Sequence, residues 1–542
     1  MREQGPFDRL LQPEERQDRT PIFVIGAIVL LAIVLLILVL PPVSILSDGG
    51  DGPKGPGGIA SRPRVEAPEP PAGWEVLSPL YELESTGESE GGAVLTVNLE
   101  VRPADERNLA LFTYDDGQWK RLAPATLMND GTAAQGEVPF LPRNVAALRR
   151  TTPAIQVAGW LPAEAQIDPE TANALSVLHP LDFFPAADGI LLGTGRPRPE
   201  GSALRVLPTV RALGPPESEA VDTVLASPEL RQTHINDIVR VVQEGAYDGI
   251  DLDYRAVSPA RGADFTQLVI DLADALHREG RSLTLTLPLP VKEMAGWDTG
   301  PYDWKALGEA ADAIELAAEP DQSLYHARME EVLGFLTQQV DSSRLMLVVS
   351  PFSHEKGGEG IRALLLSQAL GVASTLVART EGDIRPQEAI TIVGPNIYQD
   401  EGASGLYWDD EALAVTFSYP GEGGARSVWI ENSFSVAFKL DLARRFQLGG
   451  IAVDDVSLAA AGPDIWAPIQ ELAESGEVTL VRPNGPLLKP HWETSDGALD
   501  GGAKGAVNWT APAPGTYEVT LVVSDGVVRV GQRLSLEVKA EE

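Results

Sequence analysis

Between about residue 153 and residue 475, short apolar runs alternate with longer amphipathic stretches, and this alternation restricts the fold more than any other feature. The runs are IQVAGWL (155–161), ADGILL (187–192), LRVLPTV (204–210), DGIDLDY (248–254), SLTLTLPL (282–289), AIELAA (313–318), LMLVVSP (345–351) and GGIAVDD (449–455). A strand covered on both faces reads as a continuous apolar run, whereas a helix packed on one side repeats its apolar residues every three to four positions. The segments 230–245 and 265–280 show the second pattern. Eight strands, most followed by a helix, over roughly 320 residues point to a central (β/α)8 TIM barrel at 153–475. The alternative is a doubly wound open sheet. It is weakened because no glycine fingerprint for a dinucleotide follows the first strand.

The flanks follow other rules. Residues 73–150 contain alternating runs such as AVLTVNLEV (93–101) and LALFTYDD (109–116), which predict a small β-sandwich. Trp74, Tyr81 and Trp119 suit either a sugar-stacking surface or its core, and core is favoured because aromatics fill small sandwiches. At 478–542, the run GAVNWTAPAPGTYEVTLVVSDG resembles an immunoglobulin-like or polycystic-kidney-disease-type β-sandwich. Residues 47–72 read as a Gly/Pro linker. The uncharged stretch 21–46 predicts a transmembrane helix, since about 20 apolar residues span the hydrocarbon layer. Arg16 and Arg19 precede it within a 1–20 tail, so the tail is expected to be cytoplasmic and the bulk extracytoplasmic, in a single-pass membrane protein.

Charge and residue counts remove several function classes. A formal net charge of -36 disfavours nucleic acid as a partner, because such binders need a basic stripe. With no cysteine there are no disulfides, thiolate metal sites or cysteine nucleophiles. The six histidines show no zinc-ligand spacing, so neither a metal nor another cofactor is expected. Nothing in the sequence bears on oligomeric state.

The segment Tyr247-Asp248-Gly249-Ile250-Asp251-Leu252-Asp253-Tyr254-Arg255 carries the chemistry. Alternation along a strand sends Asp251, Asp253 and Arg255 to one face, the barrel interior and its mouth. Buried charge costs several kcal/mol per ion, on the order of a whole domain's margin, unless it is paired. The group is therefore either a self-satisfied ion cluster or a ligand site.

This strand resembles the DGxDxDxE signature of glycoside hydrolase family 18, which includes chitinases and spore-cortex peptidoglycan glucosaminidases. SPELRQTHINDIV (227–239) and VWIENSFSVAFKLDLARRFQLGGIAV (428–453) resemble the spore-cortex branch. The resemblance implies that the last Glu of the signature protonates the glycosidic oxygen. The Asp two residues before it orients the substrate's N-acetyl group, whose carbonyl is the nucleophile. Here the acid position is Arg255, which cannot give up a proton at useful pH. Asp253 matches the acetamide-orienting residue. The family's Met-x-Tyr-Asp run corresponds to Ala317-Ala318-Glu319-Pro320, and the Trp of its last strand to Asp454.

The expectation is a non-catalytic barrel that binds an N-acetylated glycan, peptidoglycan- or chitin-like, or a cell-surface partner. Its candidate binding residues are Asp251, Asp253, Arg255, Glu319 and Asp454. One alternative is an active glycosidase using Glu319 or Asp454 as a substitute acid. The other is a structural spacer. Asp409 and Asp410 are read as solvated surface.

Overall fold

The computed structural model describes residues 67–540, apart from short stretches at 72–73, 86–92, 104–108, 116, 139, 151–154, 199–202 and 459–463. It also describes two short strands at Val43–Ser44 and Ile59–Pro63. The chain divides into two units, Met1–Thr152 and Pro153–Glu542.

In the first unit, Tyr81–Ser85, Asn144–Arg150, Leu109–Asp115 and Gln118–Pro124 form one antiparallel sheet. Ala93–Asn98, Ala133–Val138 and Thr126–Met128 form another. Leu95, Val97, Leu111, Ala134 and Val145 fill the core, with Tyr81 among them. Trp74 and Trp119 are half-buried and meet the Phe112 ring edge-on at 4.7 and 6.4 Å. Both indoles are thus engaged in packing against Phe112.

The second unit is built on a parallel sheet. Its strands are β1 (Gln156–Leu161), β2 (Val177–Pro180), β3 (Thr209–Ala212), β4 (Gly249–Tyr254), β5 (Ser282–Leu287), β6 (Ala313–Leu316), β7 (Leu345–Val349) and β8 (Gly450–Val453). In space they run β3-β4-β5-β6-β7-β8-β1-β2, every neighbouring pair parallel. Arg205–Val206 pairs with β2, and β3 itself begins only three residues beyond Val206 at Thr209. One short segment thus serves both ends of the sheet. Ala158, Trp160, Val177, Leu207, Met346, Val348 and Ala452 pack together on its inner side.

The run 187–192, expected as the second strand, instead turns at Gly189 (φ 87°), and Leu191–Gly193 pairs antiparallel with Phe183–Pro185. The second parallel strand is the short, wholly buried Val177–Pro180.

Helices α1 (Pro228–Glu244) and α2 (Gly262–Arg278) follow β3 and β4. The Ser227 hydroxyl caps α1 by accepting from the Leu230 amide at 3.2 Å, with Pro228 in the first turn where its missing N–H costs nothing. On α2, Phe265, Leu268, Val269, Leu272 and Leu276 recur at helical spacing and are all buried.

Two parts of the expected architecture are corrected. No helix among the described residues is long and apolar enough to cross a membrane. The longest, α1 and α2, have 17 residues each and are amphipathic. The single-pass membrane architecture and the extracytoplasmic placement drawn from it are corrected accordingly; of the segment 21–46 on which both rested, only Val43–Ser44 is described, as a strand paired with Leu95 and Thr96, and the rest lies outside the described residues. The second correction concerns the C-terminal sandwich, which does not stand by itself. Ala506–Thr510 pairs with Ala389–Val393, a strand from the long insertion between β7 and β8. Trp509, fully buried, packs with Ile390, Ile392 and Val519. A sheet edge exposes unpaired backbone groups, and here the insertion covers one.

Gly249 opens β4 because a Cβ there would lie 2.0 Å from the Ser282 carbonyl oxygen of β5. Gly249→Ala is expected to destabilise the second unit by about 3 kcal/mol, read as a lower urea midpoint. An unchanged midpoint would show that β4 and β5 can separate freely at that point.

Candidate functional site

Along β4, Ile250, Leu252 and Tyr254 point outward into the layer beneath the helices, so Asp251 and Asp253 must point inward. Both carboxylates are wholly buried. The register with β3 places Thr209 beside Asp251 and Arg211 beside Asp253. Two layers of polar side chains result.

The lower layer surrounds Asp251. Its Oδ2 accepts from the Thr209 hydroxyl at 2.9 Å and from Trp160 Nε1 at 3.4 Å, and its Oδ1 accepts from the Thr286 hydroxyl at 3.3 Å. Glu315 of β6 and His179 of β2 complete the layer, with Nε2 3.1 Å from Oε1. The other ring nitrogen, Nδ1, sits 2.9 Å from the Leu207 carbonyl and must donate to it. Burial alone would depress the imidazole. The Glu315 carboxylate, by charge and hydrogen bond, and then Asp251 more than offset this and push His179 up to about 9. His179 is therefore a cation. Asp251 is displaced upward as well: burial is the main cause, Glu315 and Asp253 add to it, and His179 opposes them.

The upper layer is a double clasp on Asp253. Arg211 Nε donates to Oδ2 at 2.8 Å. Arg255, one residue beyond β4, donates from Nε to Oδ1 at 2.5 Å and from Nη2 to Oδ2 at 2.7 Å. Burial pulls the Arg255 guanidinium down, and its bonds to Asp253 outweigh that, so it stays charged. Asp454, one residue beyond β8, is raised by burial against the pull of Arg255 and Arg211.

Arg255 and Asp454 line a cavity of about 230 Å³, with Trp160, Ser350, Phe352 and His354 on its other walls. His354 is a neutral imidazole, lowered to about 4 by burial and then by Lys439. Ala317 and Ala318 also face this cavity.

Of the five candidate residues, Asp251, Asp253, Arg255 and Asp454 converge, and only the last two line the cavity. Glu319 is turned away. Its Oε2 is ion-paired with Arg328 on helix α3 (Tyr325–Gln339), and its Oε1 accepts from the Asp321 amide at 2.9 Å. Sequence reasoning missed His179, Arg211, Glu315 and His354. A charged Glu315 between buried Ile314 and Leu316 was a readable signal, because the same alternation singled out Asp251. No three His, Cys, Asp or Glu side chains among the described residues are placed to hold a metal ion.

Residues 214–458, from before α1 to just past β8, match the family model described as Glycosyl hydrolases family 18. The chain carries a family 18 domain. The cortical fragment-lytic enzyme of Bacillus subtilis is 21% identical over 266 residues, covering 46% of this chain and 55% of that enzyme. The chain thus spans little more than half the length of this relative. Among solved structures, the spore cortex-lytic enzyme SleL of Bacillus megaterium is 18% identical, over 64% of this chain and 80% of that one, with a TM-score of 0.47. A chitinase of Chromobacterium violaceum is 18% identical, over 59% and 99%, also at 0.47.

Two measurements probe the layers. Asp253→Ala strands two arginines around an emptied site and is expected to cost about 3–5 kcal/mol in urea unfolding. A cost below about 1 kcal/mol would mean the guanidinium groups find water or new partners easily. For His179 the folded value, about 9, lies above the ordinary 6.5. Its stabilisation is then complete below the ordinary value and lost as pH rises through the folded one. The stability gap between the wild-type chain and His179→Gln should be widest near about pH 6 and narrow towards about pH 10. A gap that ignores pH would mean the pair is not ionic.

Proposed function

We propose that the family 18 domain binds an N-acetylated glycan, peptidoglycan- or chitin-like, at the Arg255–Asp454 cavity and does not hydrolyse it. The observation that carries this reading is the fixed guanidinium of Arg255. It stands where the resemblance puts the proton donor, bonded through two nitrogens to Asp253. A guanidinium cannot protonate a leaving oxygen. Asp253 is largely committed as well: it is wholly buried, Oδ2 accepts from both arginines and Oδ1 from Arg255, which leaves one lone pair on Oδ1 for an acetamide N–H. Asp251 lies beneath, fully buried. By the resemblance, the places of the family's Tyr and Trp are taken by Glu319 and Asp454, which removes a hydrogen-bond donor and a stacking floor.

A second reading has one observation in its favour. Asp454 lines the cavity with its carboxyl raised by burial, which is what a general acid needs. Arg255 and Arg211 work against it by favouring the ionised form. Glu319, the other substitute considered, is occupied by Arg328.

The test is to incubate the full chain with chitooligosaccharides and with purified peptidoglycan, measuring retained protein and released reducing ends. Retention without release is expected, and Arg255→Glu alone should not create turnover because the stacking floor is still missing. Release that disappears in Asp454→Asn would replace this reading with the second. Neither retention nor release by a folded chain would end both.

A further inference from the structure

The strand Arg529–Val538 leaves one side unpaired, and the residues along it are complementary to a second copy of themselves. Its paired side meets Gly515–Ser524 over ten consecutive positions in unbroken register. Among the described residues its other side is met only at the far end, where Ile384 bridges to Val538 and the Lys539 amide donates to the Ile384 carbonyl at 2.9 Å. The remaining sheet ends of this sandwich are short: Val377–Arg379, His491–Thr494 and Ala498–Gly501. A long edge is usually blunted by a proline, a bulge or an inward-pointing charge, because its open N–H and C=O groups template further pairing. Residues 529–537 contain no proline, no break in register and no inward charge. Val530, Gln532, Leu534 and Leu536 face inward, with Leu534 and Leu536 packed in the core around buried Trp509.

The charges sit on the outward face at every fourth residue, Arg529, Arg533 and Glu537, and all three are exposed. Arg533 is held by Glu518 of the neighbouring strand at 3.6 Å. Arg529 and Glu537 make no ion pair among the described residues. Antiparallel pairing of two such edges about Arg533 supplies one to each. Every Arg529 then stands opposite Glu537 of the second copy, while Val530 stands opposite Leu536 and the apolar face stays inward. A slip of one residue would turn that face to solvent, and a slip of two would set Arg529 against Ser535 or Lys539. The net charge of -36 opposes contact between copies, so an interface needs local complementarity of this kind.

We propose that the chain forms a two-fold symmetric dimer in which two Arg529–Val538 strands pair antiparallel about Arg533, joining two three-stranded sheets into one. A second copy is the occupant of the edge because the edge itself carries both halves of the charge pattern. The inference is independent of what the barrel binds.

The test uses the absence of cysteine from the chain. Residues facing each other across an antiparallel pair have Cα atoms about 4.5–5.5 Å apart, within disulfide reach. Under mild oxidation of the full chain, Arg533→Cys is expected to form a disulfide dimer. Two copies of Glu537→Cys would hold their thiols about 27 Å apart and should cross-link at least about tenfold more slowly. An equal mixture of Arg529→Cys and Glu537→Cys should yield the mixed disulfide. Sedimentation equilibrium then reads the same interface without cysteine. Arg529→Glu is expected to weaken the wild-type dimer about tenfold, and adding Glu537→Arg should restore it to within about twofold. These side chains are exposed, so the thermal melt of each variant should match the wild type. A wild-type chain that stays monomeric up to about 100 µM would overturn the proposal. So would equal cross-linking at positions 533 and 537, or a dimer that ignores the charge reversal and is therefore held elsewhere.

Discussion

The clasp of Arg211 and Arg255 on Asp253 is the interaction on which the rest of the site depends. It is made across adjacent strands in fixed register, Arg211 of β3 beside Asp253 of β4, so backbone pairing delivers the first guanidinium without help from a loop. The second comes from the residue just past the end of β4 and folds back over the same carboxylate. Each partner alone would be an expensive buried ion. Together they form a bidentate, charge-assisted group whose remaining polarity points outward to the cavity.

Beneath it, the lower layer solves the same problem differently. Asp251 has no arginine. Its charge is moderated by the Thr209 and Thr286 hydroxyls and the Trp160 N–H, with the His179 cation held on Glu315 nearby. Four strands and β1 supply these groups, each from an inward-facing position. The parallel sheet is therefore not a neutral scaffold for this cluster. Its register decides which polar atoms meet, and the cluster in turn lets charged side chains occupy a core that would otherwise demand hydrocarbon.

Much of this was legible in the sequence, and the limits have physical causes. Period-two alternation in DGIDLDYR located Asp251, Asp253 and Arg255, because each flanking residue is apolar or aromatic and faces the helices. The strand Val177–Pro180 was missed since four residues containing a histidine and a proline carry too little apolar signal, and His179 went unseen with it. Glu319 was over-read: position after a strand places a residue near the mouth, but the pairing with Arg328, nine residues later on a helix, decides where the side chain turns. The C-terminal run did alternate as a sandwich should. Alternation cannot reveal that an edge strand will be completed by residues 389–393, more than a hundred positions earlier.

These couplings bear on how the DxD pair should be interpreted. In a family whose signature is catalytic, two aspartates in place invite the inference that catalysis, or its relic, keeps them there. Here each has a sufficient structural reason. Removing Asp253 would strand two cations, and removing Asp251 would leave two hydroxyls and an indole N–H facing an empty space. Breaking one member of a buried network costs more than keeping the whole, because the partners it abandons lose their hydrogen bonds where water reaches them only in part. The presence of the pair is thus uninformative about turnover. The informative positions are those at the cavity, where Arg255 stands at the place the resemblance gives the acid and Asp454 at that of the stacking Trp.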